Sequence, residues 1–178
     1  MNQPVSSKIF RIGIVGFSRN QFDKAQARSV LSEQYENLKN EFGYVEIVSG
    51  YTNSGVPKIA YELAGRFGFR TIGFSARQAL KVRCGLYPVD DVRLVGSRFG
   101  DESEAFVRYI DRLIRVGGGP QSRHEVELFK QLKPENQTTP HAKIHPTTRT
   151  RRRRQNHLCR PANATAALNT PPPRITTP

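Results

Sequence analysis

Two glycine-rich segments, each lying between a strand-like run and a helix-like run, constrain the fold of this chain more than any other feature. The first covers residues 49–55 and the second covers residues 117–122. Glycine lets a backbone adopt positive φ and approach a phosphate closely. The helix that follows such a loop presents free N–H groups, and its dipole favours an anion. Strand–loop–helix units of this kind are typical of α/β folds with parallel sheets.

The rest of the first 132 residues continues this alternation of strand and helix patterns. The predicted strands are 10–15, 45–48, 70–74, 92–95 and 113–116, and the predicted helices are 23–40, 56–67, 101–110 and 122–132. The helices show apolar residues at spacings of three and four, and Asp23 is a plausible N-cap. We therefore expect an α/β fold, a Rossmann-like doubly wound parallel sheet of about five strands with helices on both faces. Both glycine loops then lie at the carboxyl edge, where such sheets bind ligands.

The composition changes beyond residue 132, where Pro, Thr, Asn and Ala dominate. Of the formal net charge of +13, the residues from Gln131 onward carry nine Lys and Arg against one acidic residue. We expect a folded nucleotide-binding domain over residues 1–132 and a disordered, basic, Pro- and Thr-rich tail over residues 133–178. The run Arg151–Arg154 can bind nucleic acid non-specifically. The alternative is a solvated tail without a dedicated partner.

The two loops and the turn after the first strand supply the predicted binding residues. The predicted nucleotide- or phosphate-binding residues are Gly16, Ser18, Arg19, Gly50, Thr52, Asn53, Ser54, Gly55, Gly117, Gly118, Gly119, Gln121 and Ser122. For Ser18 and Arg19, a polar surface turn is an equally good interpretation. Neither G-x-G-x-x-G nor G-x-x-x-x-G-K-[ST] occurs, which disfavours a standard dinucleotide dehydrogenase and a P-loop NTPase.

Three segments resemble motifs of the SLOG superfamily, which includes the LONELY GUY-type phosphoribohydrolases and the molybdenum cofactor carrier proteins. They are a Gly-x-Ser turn after the first strand at 15–18, the loop SGYTNSGVP at 49–57, similar to S-G-G-T-D-S-G-V-P, and GGGPQSRHE at 117–125, similar to P-G-G-x-G-T-x-x-E. The resemblance spans about residues 9 to 130. It implies a Rossmann-like domain that binds a nucleotide or nucleotide derivative as a sensor or carrier. It also implies a homo-oligomer such as a dimer.

Glu125 is the candidate catalytic residue if the chain is an enzyme. The resemblance implies hydrolysis of the N-glycosidic bond of a nucleoside 5′-monophosphate, in which a carboxylate stabilises an oxocarbenium-like transition state or activates water. The hydrolases' arginine position holds Glu102 here, and Gln121 replaces a motif glycine, so the residues favour binding over hydrolysis. Alternatively, Glu125 forms a capping box with Ser122 at the start of the helix.

The remaining residues predict neither a metal site nor a membrane segment. No apolar run approaches the ~20 residues of a membrane span, so we expect a cytoplasmic protein with a nucleotide-type ligand and no other cofactor. Cys84 and Cys159 do not form a C-x-x-C pair, and we expect both to be free thiols. The acidic residues Asp101, Glu102 and Glu104 are interpreted as compensating a helix dipole rather than as paired catalytic acids.

Overall fold

Six strands and four helices alternate along the described part of the chain. A computed structural model describes residues 8–136, 138–142 and 144. The strands are β1 (Phe10–Gly16), β2 (Val45–Ser49), β3 (Arg70–Ser75), β4 (Asp91–Leu94), β5 (Arg112–Val116) and β6 (Thr138–Ala142). The helices are α1 (Lys24–Glu41), α2 (Gly55–Phe67), α3 (Ser103–Tyr109) and α4 (Pro120–Leu132), and a short 3₁₀ helix covers Arg77–Lys81. The alternation that the sequence predicts is therefore confirmed.

All six strands are parallel and form one sheet in the order β4-β3-β2-β1-β5-β6. From β1 the chain adds strands outward to β4, and then crosses back to place β5 on the other side of β1. Gly16 at the end of β1 lies opposite Val116 at the end of β5. The strand order reverses between these two strands, and open α/β sheets bind ligands outside the carboxyl ends at such a switch point.

Helices cover both faces of the sheet. On one face, α1 and α2 pack over Ile12, Ile14 and Ile47, while on the other face α3 and α4 pack over Val15 and Val48. This division follows from the alternation of side chains along a strand, which sends successive residues to opposite faces. The predicted doubly wound α/β architecture is therefore present.

Strand β6 lies within the segment that the sequence predicts to be a disordered tail. It pairs with β5, and the nearby Ile144 is 6% exposed in the core. Because the sequence TTPHA has no apolar alternation, a reading based on hydrophobic pattern misses it, and Pro140 fits the edge position. The described sheet therefore has six strands rather than about five, and it extends past residue 132. The predicted basic run Arg151–Arg154 lies outside the described residues.

Two further expectations concern membranes and thiols. In the described part of the chain, no helix has the length and apolar character needed to cross a bilayer. Cys84 is disulfide-bonded, so the expectation of a free thiol at this residue is wrong. That expectation depended on the absence of a C-x-x-C pair. Cys159 lies outside the described residues.

Candidate functional site

A cavity of about 310 Å³ opens at the carboxyl ends of β1, β2 and β3. Of the predicted site residues, nine line it: Gly16, Ser18, Arg19, Gly50, Thr52, Gly119, Gln121, Ser122 and Glu125. They come from three loops and from α4, which the parallel sheet brings together at one edge. The other five predicted residues, Asn53, Ser54, Gly55, Gly117 and Gly118, stand outside the lining and support the loops.

The loop between β2 and α2 is anchored to the loop between β1 and α1. The Ser54 hydroxyl donates a hydrogen bond of 2.7 Å to the carbonyl oxygen of Ser18. A second bond joins the same loop to the β3–β4 connection, where the N–H of Asn53 donates to the carbonyl oxygen of Gly85 at 2.9 Å. Gly55 has a φ of +65°, and a Cβ atom there would lie 2.1 Å from the carbonyl oxygen of Phe17. This glycine therefore permits close contact between two loops of the protein.

The first turn of α2 has no N–H group available to a phosphate. The N–H of Gly55 donates to Asn20 Oδ1 at 3.1 Å, and the N–H of Val56 donates to the carbonyl oxygen of Phe17 at 2.7 Å. The next residue, Pro57, has no N–H. The prediction that this helix start offers free donors is therefore wrong, because the β1–α1 loop occupies the positions that an anion would take.

The start of α4 is open by contrast. Pro120 occupies the first helical position, where its missing N–H is not needed, and no described group accepts a hydrogen bond from the backbone N–H of Gln121 or Ser122. Gly118 has a φ of +100°, and a Cβ atom there would lie 2.7 Å from the carbonyl carbon of Gly16. The glycines of this loop thus let it pack against the end of β1 and direct the helix start toward the cavity.

Two buried carboxyl groups line the cavity, from Glu102 just before α3 and from Glu125 on α4. Their residues are 5% and 7% exposed. The Nε2 atom of Gln121 lies 3.2 Å from Oε1 of Glu102 and 3.1 Å from Oε1 of Glu125. The Ser103 hydroxyl donates to the same Glu125 oxygen at 3.1 Å, and the Gly100 N–H donates to Oε2 of Glu102 at 2.8 Å.

Burial shifts the acidity of both carboxyl groups. Removal from water raises the pKa of Glu125 to about 7, against the opposing hydrogen bonds from Gln121 and Ser103, and the charge of Glu102 adds to the rise. Burial also raises the pKa of Glu102 above its ordinary value. A carboxyl group with a pKa near neutrality can act either as a proton donor or as an acceptor.

The capping box between Ser122 and Glu125 does not form. Ser122 lies inside α4, two positions after Pro120, and its hydroxyl donates to the carbonyl oxygen of Gly119 at 3.0 Å. Glu125 reaches across to Ser103 instead of back to the helix start. This alternative interpretation of Glu125 is therefore wrong, and its side chain belongs to the cavity wall.

The acidic residues around the start of α3 have three separate roles, which the sequence does not reveal. Asp101 accepts hydrogen bonds from the N–H groups of Ser97 and Arg98, which lowers its pKa. Glu104 is exposed and forms an ion pair with Arg108. Only Glu102 lines the cavity. One feature of the sequence could have identified Glu102 as a site residue. It aligns with the arginine position of the hydrolases, which is spaced to work with the motif glutamate.

The cavity has a large aromatic wall and little positive charge. Phe74, Phe99 and Phe106 line it, and none of them was predicted. Arg19 is the one cationic side chain among the described lining residues, and it is exposed at the β1–α1 loop. No group of three or more His, Cys, Asp or Glu side chains in the described ranges is arranged to hold a metal ion. The wall suits a flat, partly apolar organic molecule.

Comparison with known proteins identifies the fold. No protein-family model and no curated protein sequence matches the chain. Among solved structures, the molybdenum cofactor binding protein from Rippkaea orientalis is 20% identical with a TM-score of 0.59, and the match covers 72% of this chain and 74% of that one. The molybdenum cofactor carrier protein from Chlamydomonas reinhardtii is 21% identical with a TM-score of 0.56, covering 71% and 73%.

A third similar structure is that of TM1055, a structural genomics target. It is 17% identical with a TM-score of 0.56, and the match covers 69% of both chains. At these identities the similarity shows the fold. The chain therefore has the Rossmann-like fold shared by these proteins, as the resemblance of its motifs to the SLOG superfamily predicts.

Proposed function

We propose that this protein binds a nucleotide or nucleotide derivative in the cavity at the carboxyl ends of β1–β3, and acts as a sensor or carrier. One observation carries the proposal: a single cavity at the switch point combines an open helix start, a cation and an aromatic wall. Its volume of about 310 Å³ falls within the range of small-molecule sites.

The anionic part of the ligand is assigned to the start of α4. The free N–H groups of Gln121 and Ser122 form a helix N-terminus, whose dipole favours a phosphate. Arg19 adds the positive charge, and the exposed hydroxyl of Ser18 adds a further donor. The flat part of the ligand then lies against the aromatic wall of Phe74, Phe99 and Phe106.

The structural comparisons support a carrier role over a purely structural one. Two proteins of this fold are described as binding or carrying the molybdenum cofactor. The present chain has an open cavity at the carboxyl edge of its parallel sheet, where such sheets bind ligands. A protein that only provided a scaffold would have no need for two buried carboxyl groups in that cavity, because burying them costs stability.

Thermal-shift measurements with nucleoside monophosphates and the matching nucleosides test the proposal. We expect the monophosphates to raise Tm in a concentration-dependent manner, because a ligand that binds the folded state stabilises it. We expect the nucleosides, which lack the anionic group, to have a smaller effect. Arg19→Ala should weaken monophosphate binding by about fivefold. Arg98→Ala, which does not alter the cavity lining, is the matched control, and absence of any shift with all nucleotides would contradict the proposal.

A second candidate function is hydrolysis of the N-glycosidic bond of a nucleoside 5′-monophosphate. It is favoured by Glu125, whose pKa of about 7 leaves part of the carboxyl protonated at neutral pH. Such a group can donate a proton to the departing base while water adds to the sugar carbon, giving free base and pentose 5-phosphate. Chromatography of a reaction with the monophosphates detects the free base. Glu125→Gln should abolish the release of free base. If the wild-type protein binds nucleotides and releases no base, hydrolysis is excluded and the carrier or sensor role stands.

A further inference from the structure

We infer that the ligand presents an edge of hydrogen-bond donors to Glu102 and Glu125, as the adjacent ring N–H and amino group of a guanine-type heterocycle do. The inference rests on the proposed function, and it names the class of base that the same cavity takes. It follows from counting which donors and acceptors at this end of the cavity are already used.

Glu125 keeps one carboxyl oxygen for a ligand. Both of its hydrogen bonds within the protein, from Ser103 and from Gln121, go to Oε1. No described donor reaches Oε2, and this oxygen is not among the atoms sealed inside the protein. Glu125 lines the cavity, while the residue as a whole is 7% exposed. A carboxylate offers about four acceptor positions, so Oε2 is an accessible acceptor on a residue that lines the cavity, and no described donor reaches it.

Glu102 contributes further acceptor positions beside it. Its Oε1 accepts from Gln121 and its Oε2 accepts from the N–H of Gly100, one hydrogen bond at each oxygen. Each oxygen therefore retains a second lone-pair position. The two carboxyl groups are held side by side because the same Gln121 nitrogen bonds to both.

The side-chain donors beside the two carboxyl groups are already used. The amide of Gln121 has two N–H groups, and its nitrogen lies within hydrogen-bond distance of both carboxyl groups. The hydroxyl protons of Ser103 and Ser122 are directed to Glu125 and to the carbonyl oxygen of Gly119. When both carboxyl groups are ionised, the side chains here present acceptors, and a ligand must supply the donors, because unpaired buried polar groups are costly.

A guanine-type edge fits this requirement better than the other common purines. Guanine presents a ring N–H beside an exocyclic amino group, two parallel donors that match the geometry of a carboxylate. Hypoxanthine keeps the ring N–H and lacks the amino group. Adenine places a ring acceptor beside its amino group, so one of its atoms would face a carboxylate oxygen without a proton between them. The aromatic residues Phe74 and Phe106 provide the apolar surface for the ring.

Isothermal titration of the full chain with GMP, IMP and AMP at pH 8 tests the inference. We expect GMP to bind about tenfold more tightly than IMP and about a hundredfold more tightly than AMP. Equal affinities for the three, or a preference for AMP, would overturn the inference while leaving the proposed function intact. If none of the three binds, the proposed function fails and the inference fails with it.

Variants locate the discrimination in the carboxyl pair. We expect Glu102→Gln and Glu125→Gln to lower the affinity for GMP by at least about tenfold and to leave that for AMP within about threefold, since each adds an amide donor where an acceptor stood. Glu104→Gln is the matched control, because Glu104 lies beside Glu102 in sequence but pairs with Arg108 on the surface. Loss of the preference for GMP in Glu104→Gln, or its retention in both cavity variants, would contradict the assignment. The wild-type base series is independent of how the variants fold.

Discussion

Glu102 and Glu125 accept hydrogen bonds from one and the same nitrogen, Nε2 of Gln121, at 3.2 and 3.1 Å. The two acids are 23 positions apart in sequence, and they meet because α3 and α4 pack beside each other on one face of the sheet. The amide nitrogen lies between two groups that would otherwise repel each other when ionised. Gln121 is therefore the residue on which the acid–base behaviour of the cavity depends most directly.

Replacing Gln121 by alanine is expected to raise the pKa of Glu125 above about 7, because the lost hydrogen bond stabilised the ionised carboxyl group. Unfolding free energy at pH 8 should fall by about 1–3 kcal/mol, since two carboxyl groups lose a donor. Denaturant titrations at several pH values, combined with NMR titration of the side-chain carboxyl carbon, measure both effects. Gln26→Ala on the exposed face of α1 is the control and should change neither. A Glu125 titration midpoint that stays in place would contradict the bridging role.

The stability of the protein is expected to fall as pH rises from about 4.5 to about 7. Glu125 has a folded pKa of about 7 against an ordinary value of 4.5, so the folded state binds more protons than the unfolded state in this window. This difference in pKa corresponds to at most about 3 kcal/mol of unfolding free energy, which the protein loses as the buried carboxyl group ionises. Glu125→Gln should flatten this pH dependence and stabilise the protein at pH 8 but not at pH 4.

Chemical denaturation across this pH range provides the measurement. Glu127→Gln, two positions along α4, is the matched control, because Glu127 is exposed and pairs with Lys130. An identical decline in stability for wild type and Glu125→Gln would show that other groups cause it.

Within the second glycine loop, alanine is expected to destabilise the protein at Gly118 and to be tolerated at Gly119. Gly118→Ala places a Cβ atom against Gly16 at a φ of +100° and should cost about 1–3 kcal/mol of unfolding free energy. Gly119 has a φ of −95°, and no atom lies within 4 Å of an added Cβ, so Gly119→Ala should be tolerated. Thermal denaturation distinguishes them, and equal destabilisation would contradict the described loop geometry.

The two ends of α2 give a similar contrast. Gly55→Ala should destabilise the protein by about 1–3 kcal/mol, because its Cβ would lie 2.1 Å from the carbonyl oxygen of Phe17. Gly65→Ala lies within the same helix with open space around it, and it should stabilise by about 0.5–1 kcal/mol through helix propensity. Melting temperatures report the difference. If Gly55→Ala proved neutral, the contact between the two loops would be weaker than described.

Local sequence patterns are sufficient to predict most of the helices and strands. Asp23 illustrates this, because its predicted role as N-cap depends only on its neighbours, and its side chain accepts from the N–H of Gln26 at 3.0 Å. The parallel sheet follows for the same reason, since alternating strand and helix periods leave few other arrangements. The sixth strand lacks such a pattern and forms through backbone pairing with β5.

The cavity is less predictable because its chemistry depends on contacts between residues distant in sequence. Glu102 and Asp101 look alike as adjacent acids, yet packing of α3 against α4 buries only Glu102. The donors of α2 look free until the loop carrying Phe17 and Asn20 is placed over them. A motif therefore identifies the loops of this site, whereas the partner of each polar atom requires the folded chain.

Because the first turn of α2 is occupied, the two ends of the cavity differ in the groups that they offer. Of α2 and α4, only α4 has first-turn N–H groups open to the cavity, and the carboxyl groups of Glu102 and Glu125 supply negative charge nearby. Under the proposed function, a molecule with an anionic head and a neutral tail binds in one orientation, because the reversed orientation places its anion against the two carboxyl groups. Under the proposed function, the β1–α1 loop acts twice: Phe17 and Asn20 close the start of α2, while Ser18 and Arg19 contact the anion at the start of α4.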